Sequence, residues 1–145
     1  MRLALVSCVK LKASQPRPAK DLYVSPLFRA LRAYAEATAE EWYILSAEHG
    51  LVHPETVIAP YERTLMKMRS AERSEWADRV SSALAPIVQS GDEIIMLAGE
   101  RYREGLLPWL SDRGVNVTIP LAGLKMGQQL QRLGNLNKQL RDGHL

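Results

Sequence analysis

WYILSAEHGLVHP, residues 42–54, is the stretch on which the reading of this chain turns. It opens as a short apolar run and leaves the core within two residues, through Ser46, Glu48 and His49, to reach Gly50. An apolar run this short, bounded by small and turn-forming residues, is expected to be a buried strand. The abrupt change after Ile44-Leu45 marks either a plain turn or the end of a strand that carries chemistry.

Working outward, three more runs have the same character: RLALVS at 2–7, EIIML at 93–97, and Val115 to Ile119. Helical periodicity fills the intervals. Ser25-Pro26 reads as an N-cap followed by proline in the first turn, and Leu27, Phe28, Leu31, Tyr34 and Ala35 form one face. Ser70 is expected to cap a helix bearing Trp76, Val80, Leu84, Ile87 and Val88, which Pro86 kinks or ends early. A helix over about 100–112 is expected to break or bend at Pro108 and to close at Gly114. A last helix over about 126–141 would turn Leu130, Leu133, Leu136 (or Asn137) and Leu140 inward. Residues 49–69, with Gly50, Pro54 and Pro60, read as a long irregular stretch of the kind that forms lids. Strand alternates with helix four times. The expectation is therefore a single α/β domain over residues 1–145, Rossmann-like, a three-layer sandwich on a four-stranded parallel sheet. The strand order expected is 2-1-3-4, with a topological switch between the first and third strands.

Composition narrows the classes. Hydrophobic residues at 46% and charged residues at 24% describe an ordinary globular domain, and no apolar run approaches the ~20 residues of a membrane span. MRLALVSCVKLK reads as a first core strand, since Lys10 and Lys12 follow its short apolar run at once. A single cysteine, Cys8, excludes an internal disulfide and fits a reducing cytoplasm. Together with three scattered histidines it matches no zinc-ligand spacing, so neither a metal nor another cofactor is expected. The net charge of +3 permits an anionic partner without requiring one, and Lys10, Lys12, Arg17 and Lys20 fall in one loop.

In open parallel sheets, ligands bind beyond the carboxyl ends of the strands. Here those ends carry Ser7, Cys8, Lys10 and Lys12, then Ser46, Glu48, His49 and Gly50, then Gly99, Arg101 and Tyr102, then Gly123 and Lys125. The opposite edge has little beyond Arg2, Glu40, Glu41, Asp92 and Glu93. This asymmetry points to a site. His49, turned inward by Gly50, is the preferred acid–base or leaving-group residue, and Glu48 is the alternative. Cys8 is a candidate nucleophile, although a free cysteine is more often inert packing. Lys10 and Lys12 stand where phosphates bind after a parallel strand, against the plainer reading of solvated lysines. Tyr23 and Tyr61 are core aromatics by default and stacking platforms for a base if they face the site. Ser7, Ser46, Gly99, Tyr102 and Gly123 complete the expected substrate-binding set, and Gln128 and Gln129 are either surface residues or ligand contacts.

The segments SCVKLK at 7–12, AKDLYVSPLF at 19–28, WYILSAEHGL at 42–51, LAGERY at 97–102 and PLAGLKMG at 120–127, with Pro54 and Pro60-Tyr61, go further. Along nearly its whole length the chain resembles a family of bacterial and phage domains of about this size, a family that supplies no activity to carry over. At the level of architecture it is similar to the uracil-DNA glycosylase fold and its relatives, including the core of archaeosine-type RNA-modifying enzymes. That resemblance implies a base-handling site at the same sheet edge, though His49 follows the second strand and not a later one.

These expectations converge on an enzyme acting on a nucleotide or nucleic acid, hydrolysing or exchanging an N-glycosidic bond. The alternative is a binding module for the same ligands without catalysis. A third reading is thiol chemistry by Cys8 with His49 as its base.

Overall fold

In the computed structural model, which describes residues 1–7 and 12–143, the first apolar run lies at the centre of the sheet. The strands are β1 (Arg2–Ser7), β2 (Arg17–Pro18), β3 (Glu41–Ser46), β4 (Gly50–Val52), β5 (Val57–Ile58), β6 (Glu93–Leu97) and β7 (Asn116–Thr118). The helices are α1 (Ala19–Leu22), α2 (Pro26–Thr38), α3 (Ser70–Leu84), α4 (Glu100–Arg103), α5 (Leu107–Asp112) and α6 (Met126–Arg141), with a 3₁₀ turn at Leu65–Lys67.

The main sheet has the order β4-β3-β1-β6-β7. β1 pairs in parallel with β3 on one side and with β6 on the other, and β7 extends the sheet in parallel beyond β6. The four expected strands thus stand in the expected order. The sheet is nevertheless not purely parallel and not four-stranded, because β4 folds back antiparallel on β3, with Ser46 opposite Gly50 and Ile44 opposite Val52. Gly50 enables this return. Its φ of 73° lies in the left-handed region that a side-chain-bearing residue rarely occupies. The irregular stretch expected over 49–69 therefore contains two short strands, β4 and β5, with β5 pairing antiparallel to β2.

Alternation along the strands builds two cores. Leu3, Leu5, Leu45, Ile94 and Met96 pack with Trp76, Val80 and Leu84 of α3 and with Leu106 and Leu110. Ala4, Val6, Ile44, Ile95 and Leu97 pack on the other face with Phe28, Leu31 and Ala35 of α2 and Leu133 of α6. Helices therefore cover both faces of the sheet, and β1 is buried on each.

Local details depart from expectation in two places. Leu130 is 40% exposed, so α6 docks through Leu133 with less of its apolar stripe than its sequence offers. The helix expected over 100–112 breaks at residues 104–106, ahead of Pro108, which sits in the first turn of α5. Gly105 lies so close to α3 that a Cβ there would stand 2.8 Å from the Cβ of Ala77, so the break is also a packing contact. α3 ends at Leu84, before Pro86, as its proline requires.

The start of α3 also differs. Ser70 is its first helical residue, and the backbone N–H of Arg69 is satisfied by the Glu72 carboxylate at 3.3 Å. That hydrogen bond, then the Arg69 guanidinium and Arg63, hold the Glu72 carboxyl below its usual range. A carboxyl lowered by folding stabilises the folded state above its unfolded pKa, and the contribution is lost as pH falls through the folded value. Wild type is expected to melt above Glu72→Gln at neutral pH. The difference between their melting temperatures should shrink to nothing through the acid range, as measured by thermal denaturation at a series of pH values.

Candidate functional site

β1 is the point at which the sheet reverses direction. The chain leaves β1 for β3 on one side and later reaches β6 on the other, so the crossovers diverge above the carboxyl ends of β1 and β6. A cleft of about 550 Å³ opens there. Its floor is Ser7 with Met96, Leu97, Ala98 and Gly99. Leu27 and Leu31 of α2 form one wall, and Ile119, Leu121, Gly123 and Leu124, which lead into α6, form another. Glu100, Arg101, Tyr102 and Arg103 close a third side, and Lys12, Lys125, Met126, Gln129, Thr64 and Met66 complete the lining.

The floor is tied across the switch point. Ser7 is buried, and its Oγ accepts a hydrogen bond from the Gly99 N–H at 3.0 Å, joining the end of β1 to the turn after β6. Tyr102 is buried, meets the Trp76 ring edge-on at 5.6 Å, and contributes to the cleft wall. Gly123, with φ of 76°, turns the chain into α6. The Gln128 side chain accepts from the Lys125 N–H at 3.1 Å, and Gln129 donates to the Leu124 carbonyl at 2.8 Å. Gln128 is thus a helix cap, while Gln129 both braces the turn and lines the cleft.

A second cluster adjoins the first. The Ser46 hydroxyl accepts from the His49 N–H at 3.0 Å and donates to the Tyr61 hydroxyl at 2.8 Å. Tyr61 and Tyr23 share a further hydrogen bond at 2.6 Å between their hydroxyls. The indole N–H of Trp76 donates to the Ser46 carbonyl at 2.8 Å. Lys12 is bridged to Tyr23 through the backbone, and its Nζ lies 4.5 Å from the centre of the Tyr61 ring and 5.8 Å from that of Tyr23. The ammonium is therefore placed by two aromatic faces at the border of the cleft. Among the described residues, Lys12, Lys125 and Arg103, whose guanidinium donates to the Ala98 carbonyl at 3.0 Å, make no ion pair, whereas Arg101 is paired with Glu104 at 3.4 Å.

The sequence candidates divide accordingly. Ser7, Lys12, Gly99, Tyr102 and Gly123 line the cleft. Tyr23, Ser46 and Tyr61 stand behind Lys12 as a hydroxyl chain that positions it. Glu48 and His49 are exposed in the β3–β4 turn, outside the cleft. Gly50 turns the backbone as expected, but the turn is a hairpin, and the His49 ring rests edge-on to Tyr61 at 5.5 Å. Cys8 and Lys10 lie outside the described residues. Glu100, Lys125 and the methionines Met66 and Met126 were not singled out from the sequence as site residues. Lys125 had a legible signal in its place after the fourth strand, but the methionines had none. Among the described residues, no group of three or more His, Cys, Asp or Glu is placed to hold a metal, and no helix is long and apolar enough to cross a membrane.

A family model described as a family of unknown function, DUF6884, matches residues 3–135. The chain is also similar to Uncharacterized protein YfjM of Bacillus subtilis (strain 168), with 28% identity over 157 aligned positions that cover 99% of this chain and 97% of that protein. No solved structure matches it significantly.

The hydroxyl chain carries a stability prediction of its own. Tyr61→Phe keeps the ring over Lys12 but deprives Ser46 and Tyr23 of their common partner. It is expected to lower the unfolding free energy by about 1–3 kcal/mol, read from urea denaturation midpoints.

Proposed function

The chain belongs to the DUF6884 family of unknown function, and for it we propose binding of a phosphorylated nucleotide in the cleft between β1 and β6. The observation that carries this reading is the pairing of an apolar cleft with three cations, Lys12, Arg103 and Lys125, that no acidic residue neutralises among those described. The volume suits a small organic ligand. Leu27, Leu31, Ile119 and Leu121 offer the apolar surface on which a base and sugar lose their water, and the lysines take the phosphate. A glycosylase-like topology belongs to the same proposal. It is supported by the 2-1-3-4 order of the parallel strands and by the position of the cleft at their switch point.

Catalysis is the second reading, and Glu100 favours it, because this residue belongs to the cleft lining whereas Glu48 and His49 stand outside. In hydrolysis of an N-glycosidic bond, Glu100 would accept a proton from the attacking water as its oxygen bonds to the sugar C1′. The C1′–N bond breaks, and the base leaves with the bonding electron pair and takes up a proton.

Two measurements test these readings. Nucleoside monophosphates are expected to raise the melting temperature of wild type, by the equivalent of about 2.7 kcal/mol at a hundredfold excess over Kd. Lys12→Ala is expected to weaken them by about ten- to a hundredfold, as expected for losing a hydrogen bond to a charged group. A ligand that shifts wild type and Lys12→Ala equally would remove the phosphate from this site. For the catalytic reading, Glu100→Gln is expected to abolish release of free base, followed chromatographically, while nucleotide binding persists. Base release at the wild-type rate in that variant would exclude Glu100.

A further inference from the structure

We propose that a second, cationic depression binds the phosphate backbone of a single-stranded nucleic acid, so that the nucleotide in the cleft is one residue of a strand. This deepens the nucleotide reading of the cleft and rests on it. The depression encloses about 300 Å³ and is lined by Arg17, Lys20, Asp21, Tyr23, Arg29 and Arg32, among others. Four of these six residues are cations and one is an acid.

Their partners separate them into two kinds. Lys20 is paired with Glu55. The Arg32 guanidinium is held by Asp21 at 2.9 Å, Glu36 at 3.3 Å and the Lys20 carbonyl at 3.1 Å. Arg17 and Arg29 are exposed and make no ion pair among the described residues. Both stand on ordered backbone, Arg17 opposite Ile58 in the β2–β5 pair and Arg29 in the first turns of α2. Two unneutralised guanidinium groups beside a braced third suit phosphates, which accept paired N–H donors from the planar guanidinium.

The depression and the cleft are neighbours. Tyr23 lines the first and Lys12 the second, and these two residues are joined by the isolated backbone bridge. α2 separates them, with Leu27 and Leu31 on the cleft side and Arg29 and Arg32 on the other. A strand with one nucleotide in the cleft would cross the start of α2 and lay its next phosphates against Arg29 and Arg17. A single nucleotide in the cleft would leave these arginines unused. The cleft admits a base only when it is out of a helical stack, a state a single strand offers without the cost of flipping a base from a duplex. Contacts made through phosphates alone give affinity without reading sequence.

The test is fluorescence anisotropy of a labelled oligothymidylate of ten residues over a salt series, beside thymidine monophosphate binding, in wild type and in an Arg17→Ala/Arg29→Ala variant. Wild type is expected to bind the oligonucleotide at least tenfold more tightly than the monophosphate. The variant is expected to lose at least that tenfold and to flatten the slope of log K against log salt by about 1.4, for two phosphate contacts at ~0.7 each. Its monophosphate affinity and melting temperature should be those of wild type, since both side chains are exposed and unpaired. Unchanged oligonucleotide affinity and slope in the variant would overturn the proposal and leave the cleft reading intact. So would a wild type that binds monophosphate and oligonucleotide alike. Binding of neither by wild type would overturn the cleft reading, and this proposal with it.

Discussion

The structure depends on the burial of β1 between its ends. Leu3, Ala4, Leu5 and Val6 have no exposed surface, since parallel partners flank the strand and helices cover both faces. A strand in that position cannot be approached from its sides. Its only contact with solvent is at its ends, and at the carboxyl end the crossovers part because the chain passes from β1 to β3 on one side and later returns to β6 on the other. The cleft is thus a consequence of sheet order. Ser7 shows the cost of ending a buried strand there. Its hydroxyl is itself buried and is spent on the Gly99 N–H, which would otherwise lack a partner beneath the cleft.

A second polar group organises the neighbouring edge. Ser46 ends β3 fully buried, and its hydroxyl serves both the His49 N–H and the Tyr61 hydroxyl, while its carbonyl takes the Trp76 indole. One residue therefore anchors the hairpin, the segment that carries Tyr61 and the inner face of α3. Through Tyr61 and Tyr23 this anchoring reaches Lys12, whose ammonium is placed by aromatic faces where an acidic partner would have neutralised it. Lys12 itself remains only partly buried at the border of the cleft.

Much of this was legible in the sequence wherever one property repeats over a local window. Four apolar runs separated by helical periodicities implied a parallel α/β sheet, and Ser25 caps α2 through the Phe28 N–H at 3.1 Å as its pairing with Pro26 foretold. The crowding of polar residues at the carboxyl ends located the cleft edge. β4 was not legible, because three residues are too few to show alternation and its partner is chosen by the turn at Gly50. Leu130 was misread because α6 packs against α2 through only part of its apolar stripe, and periodicity does not say which positions remain outside. Pro108 was misjudged by its own position. Its ring excludes a helical carbonyl four residues earlier, at Glu104, so the break falls there and the proline begins the next helix.

The sequence by itself determined the class of the fold, the positions of most elements and the edge on which polar residues gather, because hydrophobic spacing and capping act between residues close in the chain. Only the tertiary structure decided which of those polar residues share a cleft. Ser7, Gly99 and Lys125 come together through strand pairing and helix packing across most of the chain, and Lys12 is placed by Tyr61. His49, which the sequence makes prominent, is carried outside it by a hairpin. Long-range pairing of this kind is set by which surfaces bury each other, and no local pattern encodes it.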